Sequence, residues 1–251
     1  MEIKSVNIVG SGNVASKLFK MLNEKIRIPS IYARDITCAK NIVRGTTTVP
    51  VDQLSKLDLA DLTIIAVSDS AISQVINELS GEFSVVHTSG SIDIQILDKF
   101  NNYGSLYPLQ TISKDSAHDI EIPFLIEGSS KAFEKFLADF AQNILGTRTL
   151  VVNSRKRASI HLSAVITSNF TTYLLREAKV LLSEENVDLN ILRPLLEETV
   201  RKAFELSPEV AQTGPARRKD TLIIEKHLKQ IQDSELREVY KLISKKIADY
   251  Y

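Results

Sequence analysis

Cysteine is almost absent from this chain: of its 251 residues only Cys38 carries a thiol. An intramolecular disulfide is therefore excluded, as are metal sites built from several thiolates, and a reducing cytoplasm is the expected compartment. Net charge is absent as well, since 31 Lys plus Arg offset 31 Asp plus Glu. That balance argues against a broad basic surface for nucleic acid and leaves room only for a localised phosphate site. No apolar run approaches the roughly 18 residues that a membrane helix needs. The start, MEIKSVNIVGSG, passes directly into a strand pattern rather than a leader, so no membrane partner is expected. Internal repeats and low-complexity tracts are missing too. Beyond Asn153 even glycine and proline thin out, leaving Pro194, Pro208, Gly214 and Pro215.

What is present changes character along the chain. The first part alternates short β-branched runs with amphipathic stretches, the pattern of a parallel sheet covered by helices. Expected strands are Ile3–Val9, Ser30–Ala33, Leu62–Val67, Val85–His87, Phe124–Glu127 and Thr147–Val152. Expected helices are Val14–Glu24, Ile72–Leu79, Ile92–Phe100 and Lys131–Leu145. After about residue 153 only 3.6-residue periodicity remains, over Arg155–Ser183, Leu189–Ser207, Lys219–Gln230 and Glu235–Tyr250. The expected architecture is α/β over residues 1–153, followed by an all-α domain over residues 154–251.

The most informative motif is Gly10-Ser11-Gly12-Asn13-Val14-Ala15, a GxGxxA at a strand-to-helix turn. The first glycine permits the turn, the second lets backbone approach a pyrophosphate, and the small Ala15 allows close helix–strand packing. The helix N-terminus then offers unpaired amides to the anion. This reads as a dinucleotide site. A dinucleotide site selective for NAD places an acid at the end of the second strand. Here Ala33 stands near that place and Arg34 follows, a fork suited to a 2′-phosphate, which favours NADP with NAD as the alternative. Asp35 is either the ribose acid displaced by one residue or the cap of the next helix. Two further loops leave strand ends, Val67-Ser68-Asp69-Ser70 and His87-Thr88-Ser89-Gly90. Val67, Ser68, Thr88 and Ser89 let backbone come close to a flat cofactor. Asp69 and Ser70 equally read as helix caps, and His87 as a hydrogen-bonded structural residue.

On the substrate side, Gly104–Ser113 reads as a loop in which Tyr107, Gln110 and Thr111 offer neutral hydrogen-bonding groups to a pocket, although a well-ordered turn would look the same. In the following helix His161, Val165 and Asn169 are four apart and share a face, with Ser163 and Thr167 beside them. Histidine can give a proton to a developing alkoxide, and asparagine can orient a carboxylate or an amide. Buried structural roles fit either residue as well. Eight residues at 1.5 Å rise put His161 and Asn169 roughly 12 Å apart along the axis, so they serve different atoms. Finally, Thr213-Gly214-Pro215-Ala216-Arg217-Arg218-Lys219-Asp220 sets three cations at the entry to a helix, where the dipole disfavours them. Paired carboxylates or a bound anion would offset the repulsion. Arg218 is the expected functional cation and Asp220 its neighbour in the substrate site. No metal site is expected.

Together, GSGNVA, AVSDSAI, HTSG, YPLQTIS, HLSAVITSNF and TGPARRKD resemble a family of bacterial Rossmann proteins with a helical C-terminal domain of unknown function. That family is regarded as NADP oxidoreductase-like, alongside the deazaflavin-dependent NADP reductases, and the likeness covers nearly the whole chain. Two departures stand out: Tyr107 replaces a histidine common before Pro-Leu-Gln, and Lys219 replaces a glycine between Arg218 and Asp220. More distantly the chain is similar to ketopantoate reductase, pyrroline-5-carboxylate reductase and the β-hydroxyacid dehydrogenases. Several of those carry a lysine one turn before the active-site asparagine, where Val165 stands here, so His161 becomes the candidate proton donor. The resemblance implies an NADP-dependent reductase of a small carbonyl or imine compound, such as a 2-oxo acid of the ketopantoate type, and a homodimer formed through the C-terminal helices. It leaves open a non-catalytic NADP-binding regulator, or hydride exchange between NADP and a deazaflavin.

Overall fold

A strand buried at all of its positions, Val6–Val9 (β1), opens the fold. Such a strand is covered on both faces, as in parallel sheets. The computed structural model describes residues 3–79, 84–113 and 120–251. After β1 come helix α1 (Asn13–Leu22), β2 (Ser30–Tyr32), α2 (Ile36–Ile42), β3 (Val49–Val51), β4 (Leu62–Ile65), α3 (Asp69–Glu78) and β5 (Ser84–His87). They are followed by β6 (Asn102–Pro108), β7 (Phe124–Gly128), α4 (Lys131–Phe140), β8 (Thr149–Val151) and α5 (Ser154–Ala164).

The strands form one sheet in the order β3-β2-β1-β4-β5-β6-β7-β8. Every pairing is parallel except that of β6 with β7. The first six strands thus follow the 3-2-1-4-5-6 order of dinucleotide-binding sheets, whose ligand crevice opens between β1 and β4. Neighbouring residues along a strand feed opposite faces. Ile8, Ile64 and Val86 join one apolar cluster with Leu18 and Phe19 of α1 and Leu137 of α4. Val9, Ile65 and Val85 join the other with Ile72, Val75 and Ile76 of α3. Each fully buried branched side chain of this kind contributes roughly 1.5–3 kcal/mol.

Two strands depart from the sequence expectation. Asn102–Pro108, expected in part as a loop, is the seven-residue strand β6. Its glycine is functional in the sheet: a Cβ on Gly104 would collide with the Glu127 carbonyl of β7. Its proline occupies the last position, where a lost amide costs least. Val49–Val51, which had no assignment, pairs as the sheet edge with Pro50 inside it. In the other direction, the expected helix Ile92–Phe100 contains only a 3₁₀ segment, Ile94–Leu97.

The chain divides into two compact units, Met1–Asn169 and Phe170–Tyr251. The first ends in a π-helical turn, Val165–Asn169, directly after α5. The second is helical among its described residues: α6 (Phe170–Glu184), α7 (Arg193–Leu206), α8 (Pro208–Ala211), α9 (Thr221–Gln230) and α10 (Ser234–Tyr250). Aspartates cap α9 and α10, with Asp220 accepting from the Ile223 amide and Asp233 from the Leu236 amide. No described helix is long and apolar enough to cross a membrane.

Candidate active site

The end of β1 builds the first part of the site. Gly10 has φ +131°, a conformation closed to L side chains, and a Cβ there would strike the Ala66 carbonyl at the end of β4. Gly12 differs: its conformation is ordinary, and a Cβ would meet nothing within 4 Å. Its missing side chain keeps space open in front of α1. That helix starts at Gly12 without a side-chain cap and without an acid in its first turn, so its leading amides remain available to an anion.

A cleft of about 370 Å³ lies here, lined by Gly10, Ser11, Gly12, Arg34, Val67 and Ser68, together with Tyr32, Gln74 and Glu78. Of the residues expected at the cofactor, five do not line the cleft: Thr88 and Ser89 in the loop after β5, and Asn13, Val14 and Ala15 in α1. Ala15 is fully buried beneath α1 and Val14 packs on the core. The Asn13 amide donates to the Ile112 carbonyl at 3.1 Å. Asp35 accepts from the Thr37 amide at 2.8 Å and caps α2, a bond that holds its carboxyl below the usual range. Asp35 uses one carboxylate oxygen as the cap, and both it and Arg34 are exposed on the lining of the cleft. Sequence reasoning missed Gln74 and Glu78. Their spacing with Ala71 and Val75 on α3 was the available signal, since these four share one helical face.

The second part is a hollow of about 410 Å³ lined by Tyr107, Leu109, Gln110, Thr111, His161, Ala164, Val165, Thr167, Ser168 and Asn169. The expected residues Gln110, Thr111, His161 and Asn169 therefore meet in one place. The π turn explains how. In a straight α-helix eight residues rotate about 80° beyond two full turns, and the extra residue of a π turn removes about 100° of that. His161 and Asn169 end within about 20° of a common line. Thr167 Oγ1 donates to the Ser163 carbonyl at 2.9 Å inside the altered ladder.

Tyr107, at the end of β6, places its hydroxyl 2.9 Å from His161 Nδ1, with the rings edge to face at 5.6 Å. Gly90 packs against the Nδ1 edge of the imidazole as well, since a Cβ there would lie 2.6 Å from Cγ and Nδ1. Thr111 Oγ1 and Ser168 Oγ are 2.8 Å apart. Gln110 spends its amide locally, accepting from the Thr111 amide and donating to the Glu121 carbonyl. Among the described residues, no carboxylate, lysine or arginine lines the hollow. Burial and the nearby Asp69 charge push the Tyr107 hydroxyl above its ordinary pKa, so it is neutral and can donate.

Hydrogen bonds tie the segments behind the cleft to those behind the hollow. Asn13, behind the glycine turn, bonds Ile112 beside Thr111. The loop after β5 seats His161 on Gly90 and is tied to the loop after β4 by a 2.6 Å bond from Ser91 Oγ to Asp69. Within that loop Thr88 bonds the Ile65 carbonyl, and Ser89 Oγ accepts from the Ser91 and Ile92 amides. His87 accepts from the Ser89 amide at 3.2 Å. Burial, then the Arg157 charge, lowers its pKa to about 4, so it is neutral and structural.

Arg157, one turn before His161, was not foreseen. It is fully buried, pairs with Glu127 of β7, bonds the Ile92 carbonyl and receives support from Ser154. It anchors α5 to the sheet. Its i, i+4 spacing from His161 was the only hint in the sequence.

Within the helical unit, Arg217 bonds the Val210 and Gln212 carbonyls and lies 4.8 Å from the Tyr251 ring centre, which makes it a brace. Arg218 is exposed. The three cations sit in the turn before α9 rather than in the helix. Lys219 there has φ +55°, the left-handed region that glycine enters without steric cost.

The chain matches, over residues 122–247, the family described as Domain of unknown function (DUF2520). The chain belongs to this family. It is 34% identical to BF3122 of Bacteroides fragilis, a candidate NADP oxidoreductase, over 98% of both chains with a TM-score of 0.88. Its fold is also that of the Aspergillus terreus reductive aminase solved with NADPH and ethyl-5-oxohexanoate, at 12% identity and TM-score 0.74 over 100% and 95% of the two chains. The 1-pyrroline-5-carboxylate reductase of Streptococcus pyogenes gives 13% identity and TM-score 0.62 over 98% of each chain. No curated protein matches. The α/β sheet followed by a helical region, expected from the sequence, is the architecture shared with BF3122.

Proposed function

We propose that this DUF2520 protein is an NADP-dependent oxidoreductase that reduces a small carbonyl or imine compound. The observation that carries the reading is the tie just described: an open, uncapped glycine turn linked by hydrogen bonds behind it to a polar hollow that holds His161 and Asn169. The naming of BF3122 as an NADP oxidoreductase supports it.

Gly10, Ser11 and Gly12 hold the pyrophosphate against α1, with Asn13, Val14 and Ala15 fixing that turn from behind. Val67, Ser68, Thr88 and Ser89 flank the ring-bearing half. Arg34, exposed at the cleft, takes the 2′-phosphate, so NADP is preferred to NAD. NADPH, when bound, supplies the hydride. His161 gives a proton to the reduced oxygen or nitrogen, and Asn169 and Thr111 orient the substrate. Gln110, bonded to Thr111, steadies that loop. The uncharged lining suits the carbonyl or imine end of a substrate. Arg218, exposed in the turn before α9, is the proposed carboxylate ligand of the helical unit, beside Asp220, which caps that helix. The protein works in the cytoplasm, where exposed Cys38 stays reduced, as a homodimer through its C-terminal helices.

The test is turnover of NADPH across a panel of 2-oxo acids and imines by wild type, His161→Asn and Asn169→Ala. A general acid contributes about 10²–10⁴-fold. His161→Asn is therefore expected to lower kcat by at least about 10²-fold while NADPH affinity stays within about 3-fold. Equal turnover by wild type and His161→Asn would remove His161 from the reaction.

A further inference from the structure

We propose that Tyr107 is a positioning residue for the reduction, fixing His161 as the tautomer protonated on Nε2 and lending Nδ1 a proton during each transfer. The inference rests on the reductase reading and gives Tyr107, expected from the sequence only as a neutral hydrogen-bonding group, a part in the proton transfer.

The tautomer follows from what each hydrogen can reach. The Tyr107 hydroxyl is half-buried, and among the described residues its hydrogen-bond partner is His161 Nδ1 at 2.9 Å. A neutral phenol carries a hydrogen that needs an acceptor. If Nδ1 also carried one, the phenolic hydrogen would lose the acceptor beside it. Donation from the phenol to Nδ1 satisfies both groups and leaves the imidazole proton on Nε2. The clamp acts on the same edge of the ring, because Gly90 faces Cγ and Nδ1. Nε2 has no protein hydrogen bond among the described residues, and the ring lines the hollow with Asn169. The phenol itself is fixed by β6, where Tyr107 pairs with Leu125 of β7.

The proton count closes. As the substrate carbon is reduced, the π pair of its C=O or C=N bond moves to the heteroatom. That atom takes the proton from Nε2 as the N–H bond breaks. Nδ1 takes the phenolic proton as the O–H bond breaks, so the imidazole stays neutral throughout. An alkoxide is a far stronger base than a phenolate, which makes the relay favourable. Nε2, open to the hollow, then takes a proton from water as Nδ1–H returns its proton to the phenolate, which resets both groups; burial and Asp69, which disfavour a standing phenolate, favour that return.

The decisive experiment is ¹⁵N NMR of histidine-labelled protein at neutral pH. His161 resonances are assigned by their loss in His161→Asn, and wild type is compared with Tyr107→Phe. The expected wild-type spectrum has Nδ1 as an unprotonated acceptor and Nε2 protonated, and Tyr107→Phe, which keeps the ring, shows a mixture of tautomers. A wild-type Nδ1–H, or an unchanged tautomer in Tyr107→Phe, would overturn the proposal. This readout needs neither cofactor nor turnover, so it separates failure of the relay from failure of the reductase reading. With an active substrate, Tyr107→Phe is expected to lower kcat about 10- to 100-fold with KM little changed, less than loss of the general acid itself.

Discussion

Single residues in this fold are set by the partners that burial obliges them to find. Arg157 is the clearest, since a guanidinium with no exposure must be paired, and Glu127, Ser154 and the Ile92 carbonyl pair it. His87 solves the same problem by staying neutral. Its pKa falls from 6.5 to about 4 on folding, so between those values the unfolded chain binds the extra proton. Its contribution to stability is therefore complete above pH 6.5 and is lost as the pH drops toward 4, amounting to about 3 kcal/mol in total. Thermal unfolding at pH 7 and pH 5 should show wild type losing more stability than His87→Asn, whose side chain retains an acceptor for the Ser89 amide. Equal losses would remove His87 as the titrating group. The sequence read His87 as a hydrogen-bonded structural residue, but the pairing of Arg157 was not legible, because Glu127 lies far from it along the chain and only the sheet brings them together. The glycine turn was legible because its partners are local.

At the level of elements, the start of α1 and the π turn carry the function. Gly12 leaves open space that nothing in the protein fills, so Gly12→Val should fold as wild type does while occupying the pyrophosphate seat. The expected result is an unfolding temperature changed by no more than a few degrees and NADPH affinity lowered at least about 10-fold, the loss of one charge-assisted contact. Unaltered affinity would place the phosphate elsewhere. The π turn shows why periodicity alone was incomplete. A strict α-helix rotates Asn169 away from His161, and one extra residue restores the common face, yet no residue type in Val165–Asn169 announces that insertion. β6 escaped notice because Gly104 and Pro108 read as turn residues. Their meaning, a close carbonyl and a strand end, depends on β7.

For the molecule as a whole, the helical unit bears on assembly. Helices α6 and α7 contain no buried residue, and Phe204 is 89% exposed, with Leu195 and Ile191 at 66%. So many open apolar side chains fit a surface that a second copy covers, in keeping with the proposed homodimer. Light scattering on the purified protein should return twice the 28.0 kDa chain mass, and Phe204→Glu should shift it toward one chain. A monomer in the wild type would contradict the dimer while leaving the first unit's site intact. The central claim, a nicotinamide nucleotide seated between the glycine turn and Arg34, is tested most directly by fluorescence titration of the wild-type protein with NADPH and with NADH. The account predicts saturation by NADPH at one site per chain and binding of NADH at least about 10-fold weaker, the worth of a charge-assisted contact to Arg34. A flat titration with both nucleotides would contradict it.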